Sequence, residues 1–419
     1  MPHPFLEAEQ GELLAIAGMM QSAVPGLRPR LEAWREHLTQ GLAGAAPQGH
    51  EHMLERATMA LRHVWLAAAA SSTSKSYRSP AEGERTITPA GRFHNFGYER
   101  DLQPTVLEAR CATFFPPPPP GWSAEHVLFS SGQAAMNALL TLLSTGQKRR
   151  LRLRHDGCYF ETGELLGLYS QGFDSGAHGP ADIVIAEPVW QDGKSFGTTL
   201  LAELGARANR DRTASIVIDS TLSGLDDGLN DLLAALENGI QVFRVHSGLK
   251  LFQAGLELAD VGIVSLYGSG RADALRHIRT LQGTGLRFAD VAALELPLFL
   301  NTDTTRAYES AIMRHNAALA DVARGNPAFT VGYPAGRPAP FVIFNLPSPA
   351  SYDTLDDRIA AEAERRGLIF IRGGSFGFRG HRFETVRPTG KPPFLRVAMG
   401  KRGGPSVDGI LELFRSFAA

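Results

Sequence analysis

The sequence predicts an α/β protein: a large domain on a mostly parallel β-sheet, a smaller α+β domain after it, and a helical extension before it. Three observations carry this reading. Continuous apolar runs such as Asp182-Ile183-Val184-Ile185-Ala186 and Ser215-Ile216-Val217-Ile218 are separated by helical stretches, the pattern of parallel strands covered on both faces. From Phe341 the pattern changes to an alternating strand, a helix and further short strands. Before residue 75, apolar side chains recur at helical spacing. The expected boundaries are 1–95 for the helical extension and a loop, 96–290 for the large domain, and 291–419 for a linker helix and the small domain.

Each element has its own signal. Leu13, Leu14, Ile16, Ala17 and Met20, then Leu54, Ala57, Leu61, Val64 and Trp65, predict helices punctuated by Pro25, Pro29 and Pro47. This extension carries no legible chemistry and reads as a packing arm. Residues 71–95, rich in Ser, Gly and Pro, read as a loop. An amphipathic helix runs through Cys111, and Pro116 to Pro120 form a stiff spacer into the large domain. Val127-Leu128-Phe129 is a strand, followed by the turn Ser130-Ser131-Gly132-Gln133 and a helix through Leu143. Leu151 to Arg154, Val242 to Val245 and Val261 to Leu266 are further strands, and Asn230 to Leu236 is a helix. Beyond them, Arg271 to Leu281 is helical, and 288–324 continues as helix with one break at Pro297. Phe341 to Leu346 is a strand and Leu355 to Arg366 a helix ended by Gly367. Leu368 to Ile371 and Phe394 to Ala398 are strands, and Val407 to Phe417 is the last helix.

Composition removes several function classes. With 419 residues, 43% hydrophobic and 20% charged, the chain fits an ordinary globular protein. A net charge of −1 gives no electrostatic pull toward nucleic acid or a membrane surface. Cys111 and Cys158 make no disulfide framework, so a reducing cytoplasm is expected. Glu7, Glu9 and Glu12 give the N-terminus the wrong polarity for a secretory signal, and no apolar run reaches the length of a membrane span. No metal site is expected.

The chemistry centres on Lys250. It sits in a turn between two apolar strands, after His246-Ser247. An ammonium is costly to bury there, and a desolvated lysine has a lowered pKa and can form a Schiff base with a carbonyl cofactor. The alternative is a surface lysine in a strand connection. Tyr159, Glu187, Asp219 and Lys250 all fall just past strand ends, where parallel sheets collect ligands. Ser131 and Gly132, between a strand and a helix, suit a phosphate on backbone N–H groups; a plain N-cap is the alternative. Asp219 is either a turn residue or the acid that keeps a pyridine nitrogen protonated. Tyr159 is either a core residue or a ring-stacking face. Arg396, a charge inside an apolar strand, is either half of a structural ion pair or a carboxylate clamp. Together these parts match the needs of pyridoxal 5′-phosphate.

At this point the chain resembles the fold-type I pyridoxal-phosphate enzymes of cysteine and methionine metabolism: cystathionine γ-lyase, cystathionine γ-synthase and methionine γ-lyase. The likeness covers roughly residues 96–415 in ordered motifs. Tyr98-Glu99-Arg100-Asp101-Leu102-Gln103-Pro104-Thr105 resembles that family's Tyr-x-Arg-x-x-Asn-Pro-Thr, whose tyrosine and arginine reach the cofactor phosphate of the neighbouring subunit. Ser131-Gly132-Gln133-Ala134-Ala135 resembles its phosphate loop, Asp219-Ser220-Thr221 its Asp-Asn-Thr, and Ser247-Gly248-Leu249-Lys250 its Ser-x-Thr-Lys. Tyr159 falls at its stacking tyrosine, Ser375-Phe376-Gly377 at its Ser-Leu-Gly and Arg396 at its carboxylate arginine.

The resemblance implies a cofactor site made of Lys250, Asp219, Tyr159, Ser131, Gly132, Gln133, Ser247 and Gln191, completed by Tyr98 and Arg100 of a second subunit. Arg396 and Ser375 would hold the substrate. It implies a lyase acting by β- or γ-elimination, or by γ-replacement, on an L-amino acid with a side-chain leaving group, in a homodimer or homotetramer. An aminotransferase or aldolase on the same fold is the alternative; a non-enzymatic module does not explain Lys250 with Asp219. Departures surround the substrate: Tyr159-Phe160-Glu161-Thr162 replaces Tyr-Gly-Gly-Thr, Gly255-Leu256-Glu257 stands for Gly-His-Ser, and Gly374 replaces a frequent Glu or Val. Gln191 stands where an asparagine holds the cofactor's phenolic oxygen. They point to a different substrate side chain, in specialised metabolism; a halogenated or unsaturated amino acid leading to an alkyne is one example, which no motif singles out.

Overall fold

Three helices open the chain: α1 (Pro4–Ala23), α2 (Arg28–Leu42) and α3 (Pro47–Thr73). The computed structural model describes all residues except 1–3, 43–44, 74–77, 82–85, 157–158, 177–178, 190–198, 226, 238, 269, 334–337 and 418–419. Pro29 and Pro47 fall in first helical turns, where a missing N–H breaks no helical bond. Leu13, Ile16, Leu31, Leu61 and Trp65 of these helices share one buried cluster with Leu251, Phe252 and Phe376, which flank the lysine turn and the small-domain loop. The extension is therefore part of the main core, more than the packing arm its sequence suggested.

Charge fixes the extension in place. The Glu9 carboxylate accepts from Nε and Nη2 on one edge of the Arg402 guanidinium, at 3.0 Å each, and from Arg379 at 3.1 Å. Arg379 also donates to Glu12 at 2.5 Å, and Arg402 to Glu55. All four helical-side contacts are with residues of the small-domain half of the chain. From α3, Arg62 donates to the carbonyls of Leu256 (2.7 Å) and Glu257 (2.7 Å), just beyond the lysine turn.

A two-strand hairpin, β1 (Thr86–Ile87) with β2 (Phe93–His94), and α4 (Thr105–Phe114) lead into the large domain. Its elements are β3 (Ala124–Phe129), α5 (Gly132–Ser144), β4 (Leu151–Asp156), α6 (Phe160–Leu168), β5 (Phe173–Ser175) and β6 (Ile183–Ala186). There follow α7 (Thr199–Asp211), β7 (Ser215–Asp219), α8 (Leu229–Ala235), β8 (Gln241–Ser247), β9 (Gly262–Tyr267) and α9 (Ala272–Gln282). Seven strands form one sheet in the order β3-β9-β8-β7-β6-β4-β5. The pairs from β8 through β5 are parallel, and β9 runs antiparallel to both β3 and β8. Helices α5 and α9 bury Leu139, Leu143 and Leu275 on one face; α7 and α8 bury Leu204, Ala208 and Leu232 on the other. This is the mostly parallel, doubly covered sheet that the apolar runs predict. Elements α6, β5 and α7 go beyond the sequence expectation.

The second half differs from the expectation in its long helix and in two added strands. The expected helix with a single break at Pro297 is two helices, α10 (Phe288–Leu294) and α11 (Thr302–Ala323), separated by a longer irregular segment. Asn301 ends that segment as the N-cap of α11, accepting from the Thr304 N–H at 2.9 Å. The small domain adds β10 (Thr330–Gly332), β11 (Val342–Asn345), α12 (Leu355–Arg365), β12 (Phe370–Arg372), β13 (His381–Val386), β14 (Phe394–Ala398) and α13 (Pro405–Ser416). Its sheet has the order β10-β11-β14-β13-β12, antiparallel except for the β12/β13 pair. Strand β13 is absent from the sequence expectation and proves central to the site.

Candidate active site

The carboxyl ends of β6, β7 and β8, the N-terminus of α5 and the loop after β12 enclose one cavity of about 320 Å³. Lys250 lies in the turn after β8. Its Nζ donates to Ser375 Oγ and sits 5.6 Å from the centre of the Phe376 ring. The lysine is thus held between a large-domain strand end and a small-domain loop. Gly377 explains how that loop comes so close. It has φ of +97°, and a Cβ there would fall 2.3 Å from the Lys250 carbonyl oxygen. Ser375 also takes a left-handed φ, +74°, which costs a non-glycine residue energy and commonly marks a functional site. Burial lowers the pKa of the Lys250 ammonium below the ordinary lysine value, against the opposing pull of Glu257 and Asp260.

Asp219 ends β7 at the floor of the cavity. Its carboxylate accepts from the Thr221 N–H at 3.0 Å. Burial pushes the carboxyl pKa up, and the bonds from Thr221 only partly offset this. An acid in that position is stabilised by a cationic partner placed in the cavity. Thr221 also fixes the neighbouring strand end: its Oγ1 accepts from the Ser247 N–H at 3.0 Å.

Ser131 is the N-cap of α5, its hydroxyl accepting from the Ala134 N–H at 3.0 Å. Ser131 is thus the N-cap left open by the sequence, and it also lines the cavity. Ser131, Gly132 and Gln133 line the cavity with Ser247, so the positive end of α5 faces it. Tyr159 also lines the cavity, at the start of α6. Burial raises its phenol pKa, and the nearby Glu161 carboxylate, which also lines the cavity, raises it further. Glu187 completes the set of strand-end residues expected from the sequence.

Arg396 reaches the cavity from β14. Its Nε donates to Glu384 Oε1 at 2.9 Å, and its Nη2 donates to the same oxygen. The ion pair left open by the sequence is present, and the arginine still faces the cavity. Tyr98 and Arg100 do not line the cavity of their own chain. Arg100 lies 3.9 Å from Asp101 and 5.4 Å from the Tyr98 ring centre, and Tyr98 is 56% exposed. Gln191 and Cys158 lie outside the described residues. Sequence reasoning missed Asp260, which lines the cavity, and Glu384, which pairs with Arg396; neither stands out from its polar surroundings in the sequence.

No family model matches the chain, and no curated protein sequence does. Solved structures do. A methionine γ-lyase from Micromonospora echinospora aligns at 21% identity and a TM-score of 0.58, covering 82% of this chain and 91% of that one. A cystathionine γ-lyase from Lactobacillus plantarum, complexed with L-serine, aligns at 16% identity and 0.57, covering 81% and 91%. A cystathionine γ-synthase from Xanthomonas oryzae pv. oryzae, in complex with aminoacrylate and cysteine, aligns at 15% identity and 0.57, covering 78% and 87%. The likeness extends over nearly the whole length of each of these proteins, and it establishes that the chain has their fold, the fold-type I architecture that its motifs led us to expect.

Proposed function

We propose that the protein is a pyridoxal-phosphate-dependent lyase or replacement enzyme acting on an L-amino acid with a leaving group at the β or γ carbon. The observation that carries this is the pairing of a desolvated Lys250 with a buried Asp219 across one cavity at parallel strand ends. The chain's residues fit the cofactor. Among the described residues no cation pairs with the Asp219 carboxylate, and a pyridinium nitrogen supplies one. The N-terminus of α5 and the Ser247 hydroxyl suit its phosphate, and Tyr159 suits its ring. The cofactor, when bound, supplies an electron sink for charge developing at the substrate Cα.

The remaining steps belong to side chains. Lys250, whose ammonium burial makes easier to deprotonate, takes the proton from Cα and moves it along the side chain. Tyr159 keeps its phenolic proton, because burial and Glu161 both oppose its loss, so it serves as the acid toward the leaving group. Arg396 holds the substrate carboxylate with the guanidinium edge that Glu384 leaves open. The loop at Ser375 shuts the small-domain side of the cavity and limits water.

Tyr98 and Arg100 serve the phosphate of a neighbouring subunit in this reading, since their own cavity is out of their reach. The active species is then at least a two-fold dimer with shared sites. The closeness in fold to a methionine γ-lyase, a cystathionine γ-lyase and a cystathionine γ-synthase supports elimination or replacement over transamination. The test is a panel of L-amino acids with β or γ leaving groups, read by release of ammonia with pyruvate or 2-oxobutyrate. Release from at least one is expected. Stoichiometric transfer of the amino group to an added keto acid, with no elimination, would overturn the proposal.

A further inference from the structure

We propose that Glu384 is a positioning residue for this site: it locks the Arg396 guanidinium and the Ser375 backbone into one unit, and Gly374 is the opening that admits its carboxylate. The inference rests on the carboxylate role of Arg396 proposed above. Residues 384 and 396 are directly paired across the β13/β14 ladder. A cross-strand pair on one face brings a short acid and a long base into contact. Glu384 Oε1 receives the Arg396 Nε at 2.9 Å and also its Nη2, and it accepts from the Ser375 N–H at 3.2 Å. Ser375 in turn accepts from Lys250 Nζ through its hydroxyl. One carboxylate oxygen therefore links the lysine's partner to the arginine.

The geometry selects positioning over competition. Glu384 takes the side edge of the guanidinium, Nε and Nη2, and leaves Nη1 for a second carboxylate approaching end-on. A guanidinium on a long flexible stem loses rotamer freedom when it binds; a carboxylate that holds it beforehand removes that cost. The same oxygen holds Ser375 in its left-handed backbone conformation. Gly374 shows that the arrangement is built. A Cβ at that position would fall 2.8 Å from Glu384 Oε2, so any larger residue there displaces the carboxylate. The atom it meets is the free end of a side chain, so the substitution moves Glu384 without breaking the backbone.

This gives two independent perturbations. Glu384→Ala deletes the carboxylate, and Gly374→Ala displaces it while keeping its charge. Binding is measured on cofactor-loaded protein, through the visible spectrum, with L-alanine and with ethylamine, the same molecule without its carboxylate. Each variant is expected to weaken L-alanine by about tenfold, the scale of a charged hydrogen bond, and to leave ethylamine within about twofold. The double variant is expected to be no weaker than either single one, because both act on one contact. Unchanged or tighter L-alanine binding in both variants overturns the inference, the tighter result showing that Glu384 competes with the ligand. Arg396→Ala separates the two levels. If it too leaves the ratio of L-alanine to ethylamine affinity unchanged, the carboxylate role of Arg396 fails and the inference with it. If that ratio falls in Arg396→Ala alone, only the inference fails.

Discussion

Glu9→Gln tests whether the N-terminal extension is welded to the domain that closes the site. Glu9 is 5% exposed and faces Arg402 and Arg379. Burial alone would raise its pKa, but the two guanidiniums outweigh burial and hold it at about 2, from an ordinary 4.5. At about 1.4 kcal/mol for each tenfold in proton affinity, that difference is about 3 kcal/mol of stability. Arg379 keeps Glu12 and Arg402 keeps Glu55 in the variant, so neither guanidinium is left without a carboxylate. The sign follows from the depressed value. The contribution is complete above about pH 5 and is lost as pH falls from 4.5 toward 2. The assay is urea unfolding followed by the fluorescence of Trp34 and Trp65, both buried in the extension. At pH 7 the Glu9→Gln midpoint should fall well below that of the native chain, and the gap should narrow as pH approaches 2. Equal midpoints at pH 7 would refute the argument. A gap that stays constant down to pH 2 would refute its electrostatic part.

Two further outcomes probe the site. Asp219→Asn removes the carboxylate from the cavity floor while keeping its shape; cofactor should still bind, and turnover should fall by orders of magnitude, since a charge in a buried site acts with little screening. Near-native turnover would assign the role to another group. Arg100→Ala should loosen the cofactor, measured by dialysis and residual visible absorbance, and mixing it with Lys250→Ala subunits should restore activity, because a hybrid dimer has one site with both residues intact. If Arg100 makes only its surface contact with Asp101, worth at most about 1 kcal/mol, Arg100→Ala will be fully active alone.

Much of the site was legible because strand ends are. Ile183 to Ala186 and Ile216 to Ile218 are unbroken apolar runs, so the polar residues that follow them, Glu187 and Asp219, could be placed at the carboxyl ends of buried strands before any coordinates. Lys250 could be placed for the same reason. Glu384 could not. Strand β13 reads His381-Arg382-Phe383-Glu384-Thr385-Val386, too polar to announce a central strand, and it becomes one only through pairing with β14 on one side and β12 on the other. The role of Arg396 was left open for a related reason: whether a buried arginine clamps a ligand or an internal acid depends on what lies across the ladder. The extension was underestimated because Glu9, Glu12 and Glu55 look like solvent-facing helix charges, and their partners Arg379, Lys401 and Arg402 come more than three hundred residues later. The role proposed for Tyr98 and Arg100 belongs to a neighbouring subunit's site, so one chain's contacts do not display it.

Covalent labelling shows directly whether Lys250 carries the cofactor. Purified protein loaded with pyridoxal 5′-phosphate is treated with borohydride, digested, and mapped by mass spectrometry. One modified peptide is expected, carrying the cofactor on Lys250, and a Lys250→Ala protein should take up no borohydride-stable label. A label on another lysine, or an unchanged yield of label in Lys250→Ala, would contradict it.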